Sequence, residues 1–90
     1  MEFIHKREHL EEGDVVALEI DTTCRFMIMD DANLRAMKLG CLYHHIGGHI
    51  SGTTSEIAVP RSGDWNVVID TGGDTRNICY KIDLHSAALA

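Results

Sequence analysis

His44, His45 and His49 lie close together in the run HHIGGH. Imidazole is the commonest protein ligand for transition metals, so the run invites a metal reading. His45 and His49 are the candidate metal ligands, with His44 beside them. In an extended strand they share a face but stand about 13 Å apart, at ~3.3 Å per residue. One metal ion takes nitrogen ligands at about 2.0–2.1 Å, so the strand would have to fold at Gly47-Gly48 to close the gap. The spacing is not the HExxH of a helical zinc site, and no third ligand is indicated nearby. Polar strand residues facing solvent are the simpler account. The sequence therefore assigns no metal and no cofactor, and keeps His45 and His49 as candidates.

The other reactive side chains are similarly balanced between chemistry and local structure. Asp14, Asp30, Asp31, Asp64, Asp70, Asp74 and Asp83 fall mostly in turns or at strand ends, where aspartate bonds to the nearby backbone. Asp70 and Asp74 flank two glycines, a loose match to a calcium loop, which needs denser oxygen ligands. Asp70-Thr71-Gly72 resembles the aspartic-protease triplet in three letters only. That chemistry needs two carboxylates sharing a proton. Cys41 lies near His44 and His45, but catalytic pairs assemble in space rather than in sequence. No nucleophile elbow, dinucleotide fingerprint or phosphate loop is present. No catalytic residue is assigned.

These residues are positioned by a chain of short strands. Pro60 to Gly73, PRSGDWNVVIDTGG, reads as turn, central strand, turn, with Trp65, Val67 and Ile69 on one face. Trp65 is in phase with that face and is expected in the core. Further strands are expected over residues 2–8, with Phe3 as its anchor, and over 15–20, where Val16, Leu18 and Ile20 share a face. Residues 25–29 are apolar on both faces, which predicts a central strand. Leu42 to Ile50 reads as strand with a bulge or bend at Gly47-Gly48. Ser55, Ile57 and Val59 alternate in the next strand, and Ile78, Tyr80, Ile82 and Leu84 in the last. Asp30 to Gly40 is the one helical segment. Asp30 or Asp31 can cap its start, and Gly40 can end it. It is too short to be stable alone and is expected to plug one end of a β structure.

About seven short strands and one short helix predict an all-β, mainly β, fold. The expected form is a small antiparallel sandwich or jelly-roll-like barrel. Residues 1–84 form the expected single domain and 85–90 a frayed tail. Ninety residues bury about 60–65% of the unfolded surface, enough for one core. The hydrophobic fraction of 44% argues against disorder. The net charge of -6 and scattered lysines and arginines argue against nucleic acid and anionic membranes, though a local basic patch could still form. No apolar run approaches a membrane span, and the first residues lack a signal-peptide core, so a cytoplasmic location is expected. Cys24, Cys41 and Cys79 are odd in number and widely spaced, which predicts reduced thiols.

Several runs together carry a resemblance: HLEEGD, MDDANLRAMKLG, a GGH segment and VPRSGDWNVVIDTGG. The chain resembles, from about Phe3 to about Ile82, a small bacterial family classed as a domain of unknown function, sometimes found beside TIR-type signalling domains. Val59 to Gly73 is the most specific part. The resemblance implies a compact β domain with a sensing or adaptor role, and no catalytic residues. The leading expectation is a non-enzymatic binding or interaction module for a protein, peptide or small molecule, possible also as a homodimer. The alternative is a metal-binding sensor or metal-dependent enzyme using His44, His45 and His49.

Overall fold

The computed structural model describes residues 3–51, 53–72 and 78–86. Their elements in chain order are β1 (Ile4–Leu10), β2 (Val15–Ile20), β3 (Cys24–Met29), α1 (Asp31–Lys38), β4 (Ile46–Ile50), β5 (Thr53–Ala58), β6 (Gly63–Asp70) and β7 (Tyr80–His85). The strands form two antiparallel sheets, ordered β1-β6-β3-β4 and β5-β2-β7. The expected small antiparallel sandwich is what the chain forms.

Period-two alternation builds the interior. Trp65, Val67 and Ile69 of β6 pack with Phe26 and Ile28 of β3 and with Val16, Leu18 and Ile20 of β2. Ile57 of β5 and Val59 just beyond it join this buried cluster, as do Leu10 and Cys24. The apolar pattern of β3 signals its central place correctly, between β6 and β4. Its second face carries Met27 and Met29, which pack with Val68 of β6 and with Leu34 and Met37 of α1.

That second cluster corrects the expected position of the helix. Instead of plugging an end, α1 lies across the outer face of the four-stranded sheet. A sheet face bearing Met27, Met29 and Val68 must be covered, and Leu34 and Met37 cover it. The capping residues act as the sequence predicts. Asp30 accepts from the Asn33 backbone N–H at 2.9 Å, and Gly40 follows the helix in the left-handed region, φ 74°.

Three further expectations shift. The first strand runs Ile4–Leu10 rather than 2–8, while its edge position is the one its imperfect alternation predicts. Strand β4 starts at Ile46 rather than Leu42. The intervening chain is held to the helix end instead. The Cys41 N–H donates to the Ala36 carbonyl at 2.9 Å, and the His44 N–H donates to Asn33 Oδ1 at 2.9 Å. Gly47-Gly48 makes no bulge, because pairing runs unbroken from Ile28↔Ile46 to Cys24↔Ile50. Gly47 serves a close approach: φ is 100°, and a Cβ there would strike the Phe26 carbonyl oxygen and sit 2.8 Å from Ile57 Cδ1.

The last strand keeps its phase but not its bounds. Tyr80, Ile82 and Leu84 stand opposite Ile20, Leu18 and Val16. As the outermost strand of the smaller sheet, β7 leaves Tyr80 and Leu84 partly exposed. It reaches His85, which pairs with Val15. Of the turn expected after the central strand, Thr71 and Gly72 lie among the described residues and Gly73 lies outside them. No helix among those residues is long and apolar enough to cross a membrane.

Candidate functional site

The three histidines of the HHIGGH run separate. His44 and His45 line a cleft of about 310 Å³ beside Asp30, Asn33, Arg61 and Trp65. His49, on β4 opposite Arg25, lines a different cleft of about 330 Å³ with Cys24, Asp70 and Thr71. The irregular path of residues 41–45, tied to the helix end, is what divides them. Among the described residues, no group of three or more histidine, cysteine, aspartate or glutamate side chains could hold a metal ion. Asp74, the second aspartate of the loose calcium pattern, lies outside the described residues.

The cleft at His44 and His45 is organised by Asp30 and Trp65. Asp30 Oδ1 also accepts from Asn33 Nδ2 at 2.8 Å, and its Oδ2 meets Arg61 Nη2 at 3.5 Å. The Arg61 guanidinium lies 4.7 Å from the Trp65 ring centroid, a cation–π distance. Trp65 Nε1 donates to the Arg61 carbonyl at 3.0 Å, so the indole is both core and anchor of this turn. Tyr43 and His45 pair their rings with centroids 5.5 Å apart. In the segment leading from the helix to His44 the chain exposes apolar side chains: Leu42 is 99% exposed and Leu39, at the helix C-cap, is 72% exposed.

In the second cleft, burial first and then the charge of Asp70 push the Cys24 thiol pKa up, so the thiol is protonated and poorly nucleophilic. Thr71 Oγ1 is buried there and finds no hydrogen-bond partner among the described residues. Cys41 and Cys79 are exposed, and all three thiols are free.

Sequence reasoning misses a polar network on the outer face of the larger sheet. Asn66 of β6 is fully buried. Its Nδ2 donates to the Met29 carbonyl at 3.3 Å and to Asp31 Oδ1 at 2.8 Å. Its Oδ1 must then accept, and His5 Nε2 donates to it at 2.7 Å. Arg7 donates through Nε and Nη2 to the two Asp31 oxygens at 3.1 and 2.8 Å, and through Nη2 to Asp64 at 3.2 Å. His9 bridges Asp64 and Glu11.

The charges respond accordingly. Hydrogen bonds from Arg7, then Asn66, hold the Asp31 carboxyl well below the usual range. The same pairing with Asp31 raises Arg7 further. Bonds to Asp64 and Glu11 raise His9. The available signal was Val68, apolar and in phase with Asn66: it implies that this face is covered, and so that Asn66 is covered too.

Arg7, His9 and Asp31 thus owe their displaced proton affinities first to hydrogen bonds with neighbours, and Cys24 owes its own first to burial. No match to the chain was found among curated proteins or among solved structures. One family model matches, over residues 1–86, nearly the whole chain. On that match the chain belongs to DUF1883, a family described as a domain of unknown function.

Proposed function

We propose that this domain is a non-enzymatic interaction module, and that residues 39–45 with the adjoining Arg61–Trp65 cleft form its recognition surface. The observation that carries this reading is the exposure of Leu39 and Leu42 in the segment that runs into His44 and His45, which line a cleft with Asp30, Asn33 and Arg61. Exposed apolar side chains in the same segment as a few converging polar groups are the usual composition of a recognition site. The loop is anchored through Cys41 and His44, so it presents Leu42 from a fixed frame rather than a floppy one. Preorganisation of this kind lowers the cost of binding. A sensing or adaptor role in a bacterial cytoplasm agrees with the resemblance to domains found beside TIR-type partners.

The test is native mass spectrometry of untagged protein taken from a lysate, with Leu39→Ser/Leu42→Ser as the comparison. The expected result is a species heavier than the 10.0 kDa chain that disappears in the double variant while the melting temperature stays the same. A bare monomer in the unmodified protein, or an assembly that survives both substitutions, would overturn the reading.

A further inference from the structure

The opposite side of α1 faces a different cleft. At about 490 Å³ it is larger than the two already described, and its wall is basic. Strand β1 contributes His5 and Arg7, and the helix contributes Asp31, Leu34, Arg35 and Lys38. Three permanent cations thus meet one carboxylate, in a chain whose net charge is -6.

The cations are not equivalent. Arg7 is clamped by Asp31 and Asp64, so its charge is largely answered within the protein. Arg35 feels the Asp31 carboxylate one turn earlier through space but makes no close ion pair, and Lys38 makes none either among the described residues. They stand three residues apart, one helical turn, which brings their side chains to the same surface. The helix dipole accounts for cations in the last turn. It does not account for the way β1 sets His5 and Arg7 against them across the same cleft. Asn66 and Asp31 hold those two β1 side chains in place through directional bonds. Leu34, buried against the sheet, gives the cleft an apolar floor.

We propose that this cleft binds a small phosphate ester, with Arg35 and Lys38 gripping the phosphate and Leu34 contacting the organic part. Two adjacent cations without a close carboxylate partner suit a dianion better than a single carboxylate, and the Leu34 floor offers an organic part an apolar contact. This site is separate from the Leu39–Leu42 surface, and either can fail without the other.

The experiment is a two-dimensional amide NMR titration of the full chain with inorganic pyrophosphate at constant ionic strength, run beside citrate. Saturable shifts centred on Leu34, Arg35 and Lys38 are expected with pyrophosphate, with citrate at least tenfold weaker. Arg35→Ser/Lys38→Ser should weaken pyrophosphate at least tenfold and keep the native spectrum elsewhere. Lys38→Glu alone, a single exposed change, should do the same should the double variant fold poorly. Shifts that do not saturate, shifts scattered over the surface, citrate bound as tightly, or unchanged affinity in the variants would each overturn the proposal.

Discussion

Inside the sandwich, Trp65, Val67 and Ile69 of β6 meet a cluster that is apolar apart from the Cys24 thiol and the indole N–H. One residue out of phase on the same strand, Asn66 and Val68 meet the helix through Met27, Met29, Leu34, Met37 and a chain of hydrogen bonds. The inner face is held by area. Branched and aromatic side chains from both sheets interlock, and each buried side chain contributes roughly 1.5–3 kcal/mol. The outer face is smaller and methionine-rich, and thioether side chains adapt their shape at little cost. Its specificity comes from Asn66 and the Asp31–Arg7 pair, which fix where α1 sits. One sheet is thus anchored by bulk on one side and by direction on the other.

This contrast can be broken or sharpened by substitution. Trp65→Ala should have the largest effect, about 3–5 kcal/mol in urea unfolding, because it opens a large hole between the sheets. A loss no greater than that from an outer-face truncation would erase the distinction. Met37→Ala removes a buried helix contact and should cost roughly 2 kcal/mol, the low end for such changes, because the neighbouring methionines can relax. Asn66→Ala should cost about 1–2 kcal/mol, since it strips partners from Met29, Asp31 and His5. Hydrogen exchange should distinguish this change: amides of α1 lose protection while those of β3 keep it. Equal loss in both would mean that the network does not position the helix.

The smallest effects concern pH. The Asp31 carboxyl has a depressed proton affinity in the folded protein, so its contribution is present above its ordinary value near ~3.9 and fades as pH falls below it. Asp31→Asn should flatten the acid limb of the melting-temperature profile. His9 has a raised affinity, so its contribution is full below about 6.5 and fades as pH rises through its elevated value. His9→Ala should remove a shallow decline that sets in as pH rises above about 6.5. Both groups are exposed and screened, so the slopes are expected to be shallow.

The same contrast explains what was legible beforehand. The inner core follows from alternation: residues 15–20 were bounded correctly, Trp65 lies where its phase puts it, and the double-faced apolar run of β3 marks a central strand. Asp30 and Gly40 announced the helix ends. The outer network was hidden because its partners are far apart in sequence: Arg7 with Asp31, His9 with Asp64, Asn66 with His5. No periodicity links them. The histidine run misleads for a related reason. Asn33, on the helix, captures the backbone at His44 and turns an expected strand into a loop, which sends His45 and His49 to different clefts. Gly47 looked like a bulge because its real constraint, the Phe26 carbonyl, lies on another strand.

The pairing of β1 with β6 also sets a timetable. Ile4 finds its partner only at Ile69, and α1 packs on the same strand. At roughly 5–20 residues per second, a chain emerging from a ribosome holds its first strand idle for several seconds before that partner exists. Closing so long a loop is slow and leaves little native structure to form piecemeal. Over that interval the waiting strand displays Lys6, Arg7 and Glu8 between its two apolar ends, charges of the kind that keep a bare strand edge from pairing with a neighbouring chain.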